Sequence, residues 1–388
     1  MPKTHVINKT HRVDTIELPG MSPGATHTLK VHRFGAPDAR PKAYFQASLH
    51  ADETPGLLVA HHLLRHLIEA DASGEIIGEI IVVPMANPIG LGQNLEGHHI
   101  GRHNIDGGGN FNRGFPDFGP DIADALADKL GNDAEANVAT IRAALKQAVA
   151  DLDSTTAHQA LRQVLLGEAI DADIVLDLHC DLEALLHIYL GTPLWPDAAD
   201  LAADLGLEAV LLADDSGGGP FDEACGDPWW RLAKRFPDLP IPPACLATTV
   251  ELRGQADVSD VLALTDTLGL LRFLKRRGVI KGDAGPLPEA RCEATPLEGT
   301  EIVKTPVAGV IAYAVELGDR VVKGERIGDV VDPAADDPNT ARTAIFAGTD
   351  GLILSRQIDK LVRPGQGICK IVGTEPLAGR RAGSLMED

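Results

Sequence analysis

The hydrophobic residues of the chain fall into short, nearly continuous runs that alternate with stretches of helical periodicity. Apolar runs at 43–49, 79–83, 174–178, 209–212 and 247–252 predict strands buried in a sheet. The spacing of apolar residues between and after these runs predicts six helices. One begins at Pro55, and the others cover 121–129, 137–150, 157–168, 198–205 and 258–276. This alternation predicts an α/β fold with a mixed, mostly parallel sheet and helices on both of its faces.

Two segments interrupt this regular pattern. The first thirty or so residues carry two Pro-Gly turn signals between short β-like runs, which predicts an edge hairpin or arm. Residues 87–120 are rich in Gly, Asn and Pro and predict a long irregular segment. Irregular segments of that length in compact domains are usually functional.

The character of the chain changes near residues 282–296, a stretch that is typical of a linker. We therefore predict an α/β domain with its N-terminal β arm over 1–285 and a β-rich domain over 286–388. In the second domain, residues 309–324 resemble residues 351–365, and both copies read as strand, turn and strand. This duplication resembles a biotinyl/lipoyl-like barrel-sandwich.

The composition excludes several classes of partner. The sequence has 35 Lys and Arg against 56 Asp and Glu, a formal net charge of −21. Such a charge argues against binding to nucleic acid or docking on an anionic membrane surface. No stretch of about 18 apolar residues predicts a membrane span. The five cysteines are scattered without a CxxC pair, and the N-terminus lacks a secretory apolar region, which together predict a cytoplasmic protein with reduced thiols.

Three residues have the chemistry of a metal site. His50 and Glu53 stand three residues apart after the first strand, so that an imidazole and a carboxylate share one short turn. His179 ends the strand at 174–178, where ligand sites are built in parallel sheets. Two imidazoles and a carboxylate are a ligand set that catalytic zinc sites use. Taken singly, the pair could also be a solvated helix start and His179 a core histidine.

Other polar residues stand near these in the predicted fold. Glu251 lies in an apolar strand, where it could act as a general base or face solvent at a sheet edge. Asp177 could orient a ligating imidazole or point to the other side of its strand. In the irregular segment, Arg113 suits a substrate carboxylate and Arg102 could stabilise a developing oxyanion.

Together, the ordered set of HxxE, Asn-Arg, a strand-terminal His and the TVELR string resembles the zinc carboxypeptidase superfamily. Its succinylglutamate desuccinylase/aspartoacylase branch is the most similar, and the resemblance covers residues 43–275 with the β-rich C-terminal domain. One feature departs from the pattern, since His50 is followed by Ala51 where the family usually has Gly. The change preserves the candidate ligands but bears on the subfamily and its substrate.

The resemblance implies a role for each residue. His50, Glu53 and His179 would bind one zinc ion per chain, and Glu251 would be the general base and acid. Asn112 and Arg113 would bind the substrate carboxylate, and Arg102 would polarise the scissile carbonyl. The implied reaction is hydrolysis of the amide bond of a small N-acyl amino acid. The oligomeric state stays open, and a homo-oligomer is compatible with the sequence.

Three alternative functions remain at this stage. A metallocarboxypeptidase acting on peptides would use the same residues. A non-catalytic zinc-binding module would have no need of Glu251. A biotin-type carrier would need a modifiable lysine at the tip of the hairpin over 342–347, which has none, so a structural or substrate-gating role is the better prediction for the C-terminal domain.

Overall fold

A computed structural model describes residues 3–385 of the protein, except for the side chain of Met21. The strands, in chain order, are β1 (Lys3–Val6), β2 (Arg12–Ser22), β3 (Ala25–Phe34), β4 (Lys42–Ala47), β5 (Glu79–Val83), β6 (Asn94–Leu95), β7 (His98–His99), β8 (His103–Asn104), β9 (Gly109–Asn110), β10 (Ile174–Asp181), β11 (Glu183–Ala184), β12 (His187–Gly191), β13 (Ala209–Ala213), β14 (Leu246–Gly254), β15 (Ala294–Pro296), β16 (Thr300–Lys304), β17 (Gly309–Tyr313), β18 (Arg320–Val321), β19 (Arg326–Val331), β20 (Arg342–Phe346), β21 (Gly351–Arg356), β22 (Leu361–Val362) and β23 (Gly367–Val372).

The helices occur mainly in the first three quarters of the chain. They are α1 (Pro55–Ser73), α2 (Pro88–Leu91), α3 (Phe118–Leu126), α4 (Ala134–Ala150), α5 (Ala157–Ala169), α6 (Ala199–Leu205), α7 (Phe221–Arg235) and α8 (Asp260–Arg276), with 3-10 turns at Thr192–Leu194 and Leu297–Gly299. Helix α1 begins with Pro55, whose missing N–H costs nothing in the first turn, and ends at Gly74, whose φ is 72°.

A ten-stranded sheet forms the centre of the molecule, in the order β1-β2-β3-β5-β4-β10-β14-β12-β13-β15. The strands β5, β4, β10 and β14 are parallel neighbours, whereas β1, β2 and β3 form an antiparallel edge. Strand β12 runs antiparallel to β14 and parallel to β13. The predicted mixed, mostly parallel sheet is confirmed, and the predicted N-terminal arm is its antiparallel edge.

Helices cover both faces of this sheet, as predicted, and enclose two separate cores. On one face α1, α6 and α8 pack through residues such as Leu63, Leu201 and Leu270. On the other face α3, α4, α5 and α7 pack through residues such as Leu145 and Trp229. The strand interiors are apolar on both sides because both faces are buried.

Helix α7 and strand β12 were missed by the sequence reasoning. Helix α7 contains Pro228 in its interior and Gly226 before it, and both residues ordinarily argue against a helix. Its apolar residues Phe221 and Trp229 are fully buried against the sheet, so tertiary packing outweighs the local propensity. The observed bounds of α3 also lie three residues earlier than predicted.

The C-terminal region consists of two antiparallel sheets around an apolar core of their own. One sheet has the order β20-β19-β17-β22, and the other contains β16, β23, β21, β18 and β11. The two repeated segments supply β17 and β21, the first strands of their copies. The predicted all-β, barrel-sandwich-like architecture is confirmed.

Two strand pairings join the C-terminal region to the α/β region. Strand β11, from the middle of the chain, pairs with β21, and β15 extends the large sheet beside β13. The domain boundary between residues 285 and 286 stays a prediction. A strand from before the boundary, β11, pairs with the C-terminal sheet, and a strand from after it, β15, pairs with the large sheet.

Two features of the structure concern membrane-spanning helices and the cysteines. No helix among the described residues is both long enough and apolar enough to cross a membrane. All five cysteines are free thiols, and four of them are buried.

The central strand β10 should contribute strongly to the stability of the α/β region. Leu176 on this strand is 0% exposed, so Leu176→Ala should lower the free energy of unfolding by about 2–5 kcal/mol through lost burial and a cavity. The measurement is urea denaturation followed by circular dichroism. As a control, Val261→Ala on α8 should change the free energy of unfolding by less than about 0.5 kcal/mol, because Val261 is 76% exposed. Equal effects of the two substitutions would contradict the assignment of this core.

Candidate active site

Three strands carry the candidate catalytic residues to one edge of the large sheet. Strands β4, β10 and β14 are adjacent and parallel, so that their carboxyl ends lie together. His50 follows β4, His179 lies near the end of β10, and Glu251 lies opposite His179 on β14. Residues far apart in the sequence are thereby brought within a few ångströms.

His50, Glu53 and His179 form a cluster that could hold a metal ion. One ligand atom from each lies within 4.8 Å of the others, and all three side chains are buried. Glu53 lies between the imidazoles: its Oε1 is 2.8 Å from Nδ1 of His50, and its Oε2 is 2.7 Å from Nδ1 of His179. The HxxE turn is closed by the Glu53 backbone N–H, which donates to the His50 carbonyl.

The far nitrogen of each imidazole faces an acceptor. Nε2 of His50 lies 2.7 Å from Oδ1 of Asn110, and Nε2 of His179 lies 2.9 Å from Oδ2 of Asp177. Because residues two apart share one face of a strand, Asp177 and His179 point the same way. Asp177 therefore lies on the same side of the strand as His179, where it can orient the imidazole, and does not point to the other side. Acceptors of this kind orient metal-binding histidines and fix their tautomer.

The charges of the cluster are balanced among its members. Burial opposes ionisation of Glu53, but His50 and His179 hold its pKa well below the usual value. Burial also acts to lower the pKa of His179, but Asp177 and Glu53 outweigh it and raise that pKa well above the usual value. Burial lowers the pKa of His50. Glu53 is therefore an anion held between two imidazole groups.

This donor set fits zinc. Two imidazole nitrogens and one carboxylate oxygen are a three-residue set of catalytic zinc sites, whereas calcium and magnesium prefer oxygen ligands throughout. The two acceptors behind the imidazoles leave both Nδ1 atoms directed at the centre of the cluster, as ligation requires.

Glu251 lies in the same cavity without a hydrogen-bond partner on its Oε2 among the described residues, although that atom is buried. Burial, and next the charge of Glu53, raises its pKa to about 8. A buried carboxyl group that can hold a proton near neutral pH is suited to general acid and base chemistry.

Arg102 contacts the candidate ligands themselves. Its Nη1 donates to Oε1 of Glu53 at 3.0 Å and lies 3.2 Å from Nδ1 of His50. Glu53 also accepts the backbone N–H of Cys180 on its other oxygen. In this geometry Arg102 fixes the orientation of the Glu53 carboxylate. The sequence predicts only an action of Arg102 on the scissile carbonyl and not this contact.

Asn112 and Arg113 form the neighbouring wall. Oδ1 of Asn112 accepts the backbone N–H of Phe221 at 2.8 Å, and its Nδ2 lies 3.4 Å from Nε2 of His179. Arg113 donates from Nη1 to the Asn112 carbonyl, and its aliphatic stem packs so closely on Gly218 that a Cβ there would lie 2.5 Å from Cδ. The glycine at 218, with φ of 77°, is what allows this approach.

All seven sequence-predicted site residues line one cavity, namely His50, Glu53, Arg102, Asn112, Arg113, His179 and Glu251. Their roles remain predictions, but their convergence follows from the sheet topology. Sequence reasoning assigned no role to several other lining residues, among them Tyr189, Asp222, Glu223 and Lys370. Asp222 and Glu223 open the undetected helix α7, and Lys370 comes from β23 of the C-terminal region.

Lys370 is the residue least accessible to sequence reasoning. It lies in the run Gly367–Val372, which reads only as a strand. In the structure its Nζ donates to Oδ2 of Asp181 at 2.6 Å and to the Tyr189 hydroxyl at 3.2 Å. No sequence pattern links residues 181 and 370, so only the pairing of the two regions brings them together.

Comparisons with known proteins agree with this fold. The protein is an α/β protein with a candidate metal centre at the carboxyl ends of its parallel strands. The family model of the succinylglutamate desuccinylase/aspartoacylase catalytic domain matches residues 39–234, half of the chain. The chain belongs to the succinylglutamate desuccinylase/aspartoacylase family, as its motifs predicted. No curated protein matches the chain in a sequence comparison.

Solved structures of the same family have a similar fold throughout. A family protein from Shewanella frigidimarina is 25% identical with a TM-score of 0.82, over 95% of this chain and 98% of its own. One from Shewanella amazonensis is 25% identical with a TM-score of 0.80, over 92% and 97%. A succinylglutamate desuccinylase/aspartoacylase from Rhodobacter sphaeroides is 17% identical with a TM-score of 0.67, over 96% and 99%, and shares the fold.

The cluster predicts a specific dependence of metal content on His179. Protein with His179→Ala should retain less than about a tenth of the zinc per chain that the unmodified protein holds after dialysis, since a three-ligand site loses a ligand. Elemental analysis measures this. As a control, His62→Ala removes a buried histidine that contacts Asp260 outside the cluster and should leave the zinc content unchanged. Full zinc retention in the His179 variant would contradict the proposed ligand set.

Proposed function

We propose that the protein is a zinc-dependent hydrolase that cleaves the amide bond of a small N-acyl amino acid. The observation that carries this proposal is the position of Glu251, a buried carboxyl group with an unpartnered oxygen in the cavity that His50, Glu53 and His179 share. A site that only stored a metal would have no need of a proton-accepting group there. The family assignment supports hydrolysis of an amide bond.

In this proposal His50, Glu53 and His179 hold the zinc ion through the two Nδ1 atoms and the carboxylate. Zinc, when bound, lowers the pKa of water and polarises a carbonyl oxygen. Asn110 and Asp177 keep the imidazoles oriented, and Arg102 keeps the carboxylate in place.

Glu251 moves the protons. Its carboxylate takes a proton from the attacking water and then gives it to the nitrogen of the leaving amine, which becomes a better leaving group. Burial raises the pKa of Glu251, which suits a carboxyl group that holds a proton between the two transfers. Arg102 has donors beyond the Nη1 that contacts Glu53, and these stabilise the negative charge that develops on the carbonyl oxygen.

Arg113 and Asn112 bind the carboxylate of the amino acid. A guanidinium group forms two parallel hydrogen bonds with a carboxylate, and the Nδ2 group of Asn112 adds a further donor. Leu297 and Lys370 reach the cavity from beyond residue 285 and restrict it. A restricted cavity favours a small acylated amino acid over a longer peptide.

The role of Glu251 predicts a separation of turnover from metal binding. Glu251→Gln keeps the shape of the side chain but cannot accept the proton, so kcat should fall at least about a hundredfold. Zinc content should stay at the level of the unmodified protein. The measurement is amine release from N-acetyl and N-succinyl amino acids, with elemental analysis of the same samples. Unchanged turnover in the Gln variant would refute the proposed base.

The role of Arg113 predicts a dependence on substrate charge. Arg113→Met should raise KM for an N-acyl amino acid by about tenfold to a hundredfold, because a charge-assisted hydrogen bond is lost. KM for the matching carboxamide, which lacks the charge, should change little. Arg235→Met removes an exposed arginine at the far end of α7 and is the matched control. Equal changes for the acid and the carboxamide would argue against carboxylate binding at Arg113.

A further inference from the structure

The first turn of helix α7 gives the cavity an acidic wall, formed by Asp222 and Glu223. Both side chains line the cavity together with Ser216 and Thr249. Asp222 is only 7% exposed. Its Oδ2 accepts the backbone N–H of Thr249 at 3.1 Å, and its Oδ1 is buried without any hydrogen-bond partner among the described residues.

Neither carboxylate of the acidic wall has a cation beside it. Within the part of the chain that the structure describes, no Lys, Arg or His nitrogen lies within 4 Å of Asp222 or Glu223. Other buried carboxylates nearby do have such partners: Asp181 pairs with Lys370 at 2.6 Å, and Asp227 pairs with Arg231 at 2.9 Å.

Buried carboxylates without a counter-charge are costly, and proteins normally pair them. The positive end of the α7 dipole offsets only part of a charge. Burial, followed by Asp177, raises the pKa of Asp222 to about 6, which reflects the same deficit of positive charge. A cationic group in the cavity would supply what the protein itself does not.

The acidic wall adjoins the proposed carboxylate site. Asn112 accepts the backbone N–H of Phe221, the residue immediately before Asp222. Arg113, Asn112 and the acidic wall also line the same cavity. The side chain of an amino acid whose carboxylate is held by Arg113 and Asn112 would therefore lie in the cavity that contains the acidic wall.

We propose that the acidic wall selects N-acyl amino acids whose side chain ends in a primary ammonium group, with Asp222 as the main partner and Glu223 as the second. This inference rests on the proposed function and names the substrate class within it. The ammonium group would donate to Oδ1 of Asp222, the atom that has no partner in the protein, and would neutralise the buried charge.

The test compares two substrates of nearly the same shape. Ornithine and norleucine differ by an ammonium group in place of a methyl group, and each is supplied as its Nα-acetyl and Nα-succinyl derivative. The unmodified protein should prefer the ornithine compound in kcat/KM by about tenfold or more, since one partner of a buried charged pair is absent from norleucine. Most of the difference should lie in KM.

Asp222→Asn removes the charge but keeps an oxygen for the Thr249 N–H. It should reduce the ornithine-to-norleucine ratio by about tenfold or more, and Glu223→Gln should reduce it by a smaller factor. The control is Asp227→Asn, which removes another buried carboxylate from the same helix, but one that pairs with Arg231 and does not line the cavity. This control should keep the ratio of the unmodified protein.

The outcomes separate this inference from the proposed function. Hydrolysis of both substrates with a ratio near one, or an equal loss on both in the Asp222 variant, would overturn the inference and leave the proposed function standing. Hydrolysis of no N-acyl amino acid would overturn the proposed function. In that case calorimetric binding to the Glu251→Gln protein decides the inference, since preferential binding of the ornithine compound supports it and equal binding refutes it.

Discussion

The carboxylate of Glu53, buried between two imidazoles, is the constraint on which the rest of the site depends. Its oxygens contact His50 and His179 and also receive the Arg102 guanidinium and the Cys180 backbone N–H. A buried anion needs this degree of compensation. The loop after β4, the start of α1 and the end of β10 must therefore meet at one point, and the parallel pairing of β4 with β10 makes them do so.

The net charge of the chain does not say where the cations of the cavity lie. The net charge of −21 would repel an anionic substrate on average. The cavity lining nevertheless places three basic residues, Arg102, Arg113 and Lys370, among its acidic ones, beside a cluster suited to a divalent cation. The acidic wall at the start of α7 then gives the cavity a second polarity a short distance away. The overall acidity of the chain therefore carries little information about the ligand.

The C-terminal region takes part in the cavity, but within residues 286–385 it supplies no candidate metal ligand. Lys370 on β23 and Leu297, which follows β15, both line the cavity. Strand β11, which follows β10, pairs with β21 of the C-terminal sheet. The structural or substrate-gating role expected from the missing carrier lysine stays a prediction, and these contacts are compatible with it.

The metal-binding candidates and the proposed base could be predicted from the sequence, because each lies at or near the end of a nearly continuous apolar run that predicts a buried strand. The same local signals failed at α7, where Pro228 and Gly226 conceal a helix that only burial of Phe221 and Trp229 stabilises. Asp222 and Glu223 were missed with that helix. Arg102 was found, but its contact with Glu53 was not, because loop geometry does not follow from residue spacing.

The sequence by itself determined most of the alternating elements, the edge of the sheet where the site lies and the family, since these follow from local periodicity and ordered motifs. Tertiary structure alone decided which way Asp177 points, that Lys370 joins Asp181 across 189 residues, and that Asp222 is buried without a counter-charge. The physical reason is that partners in a buried electrostatic network are chosen by the packing of distant segments. That packing leaves no trace in the spacing of residues along the chain.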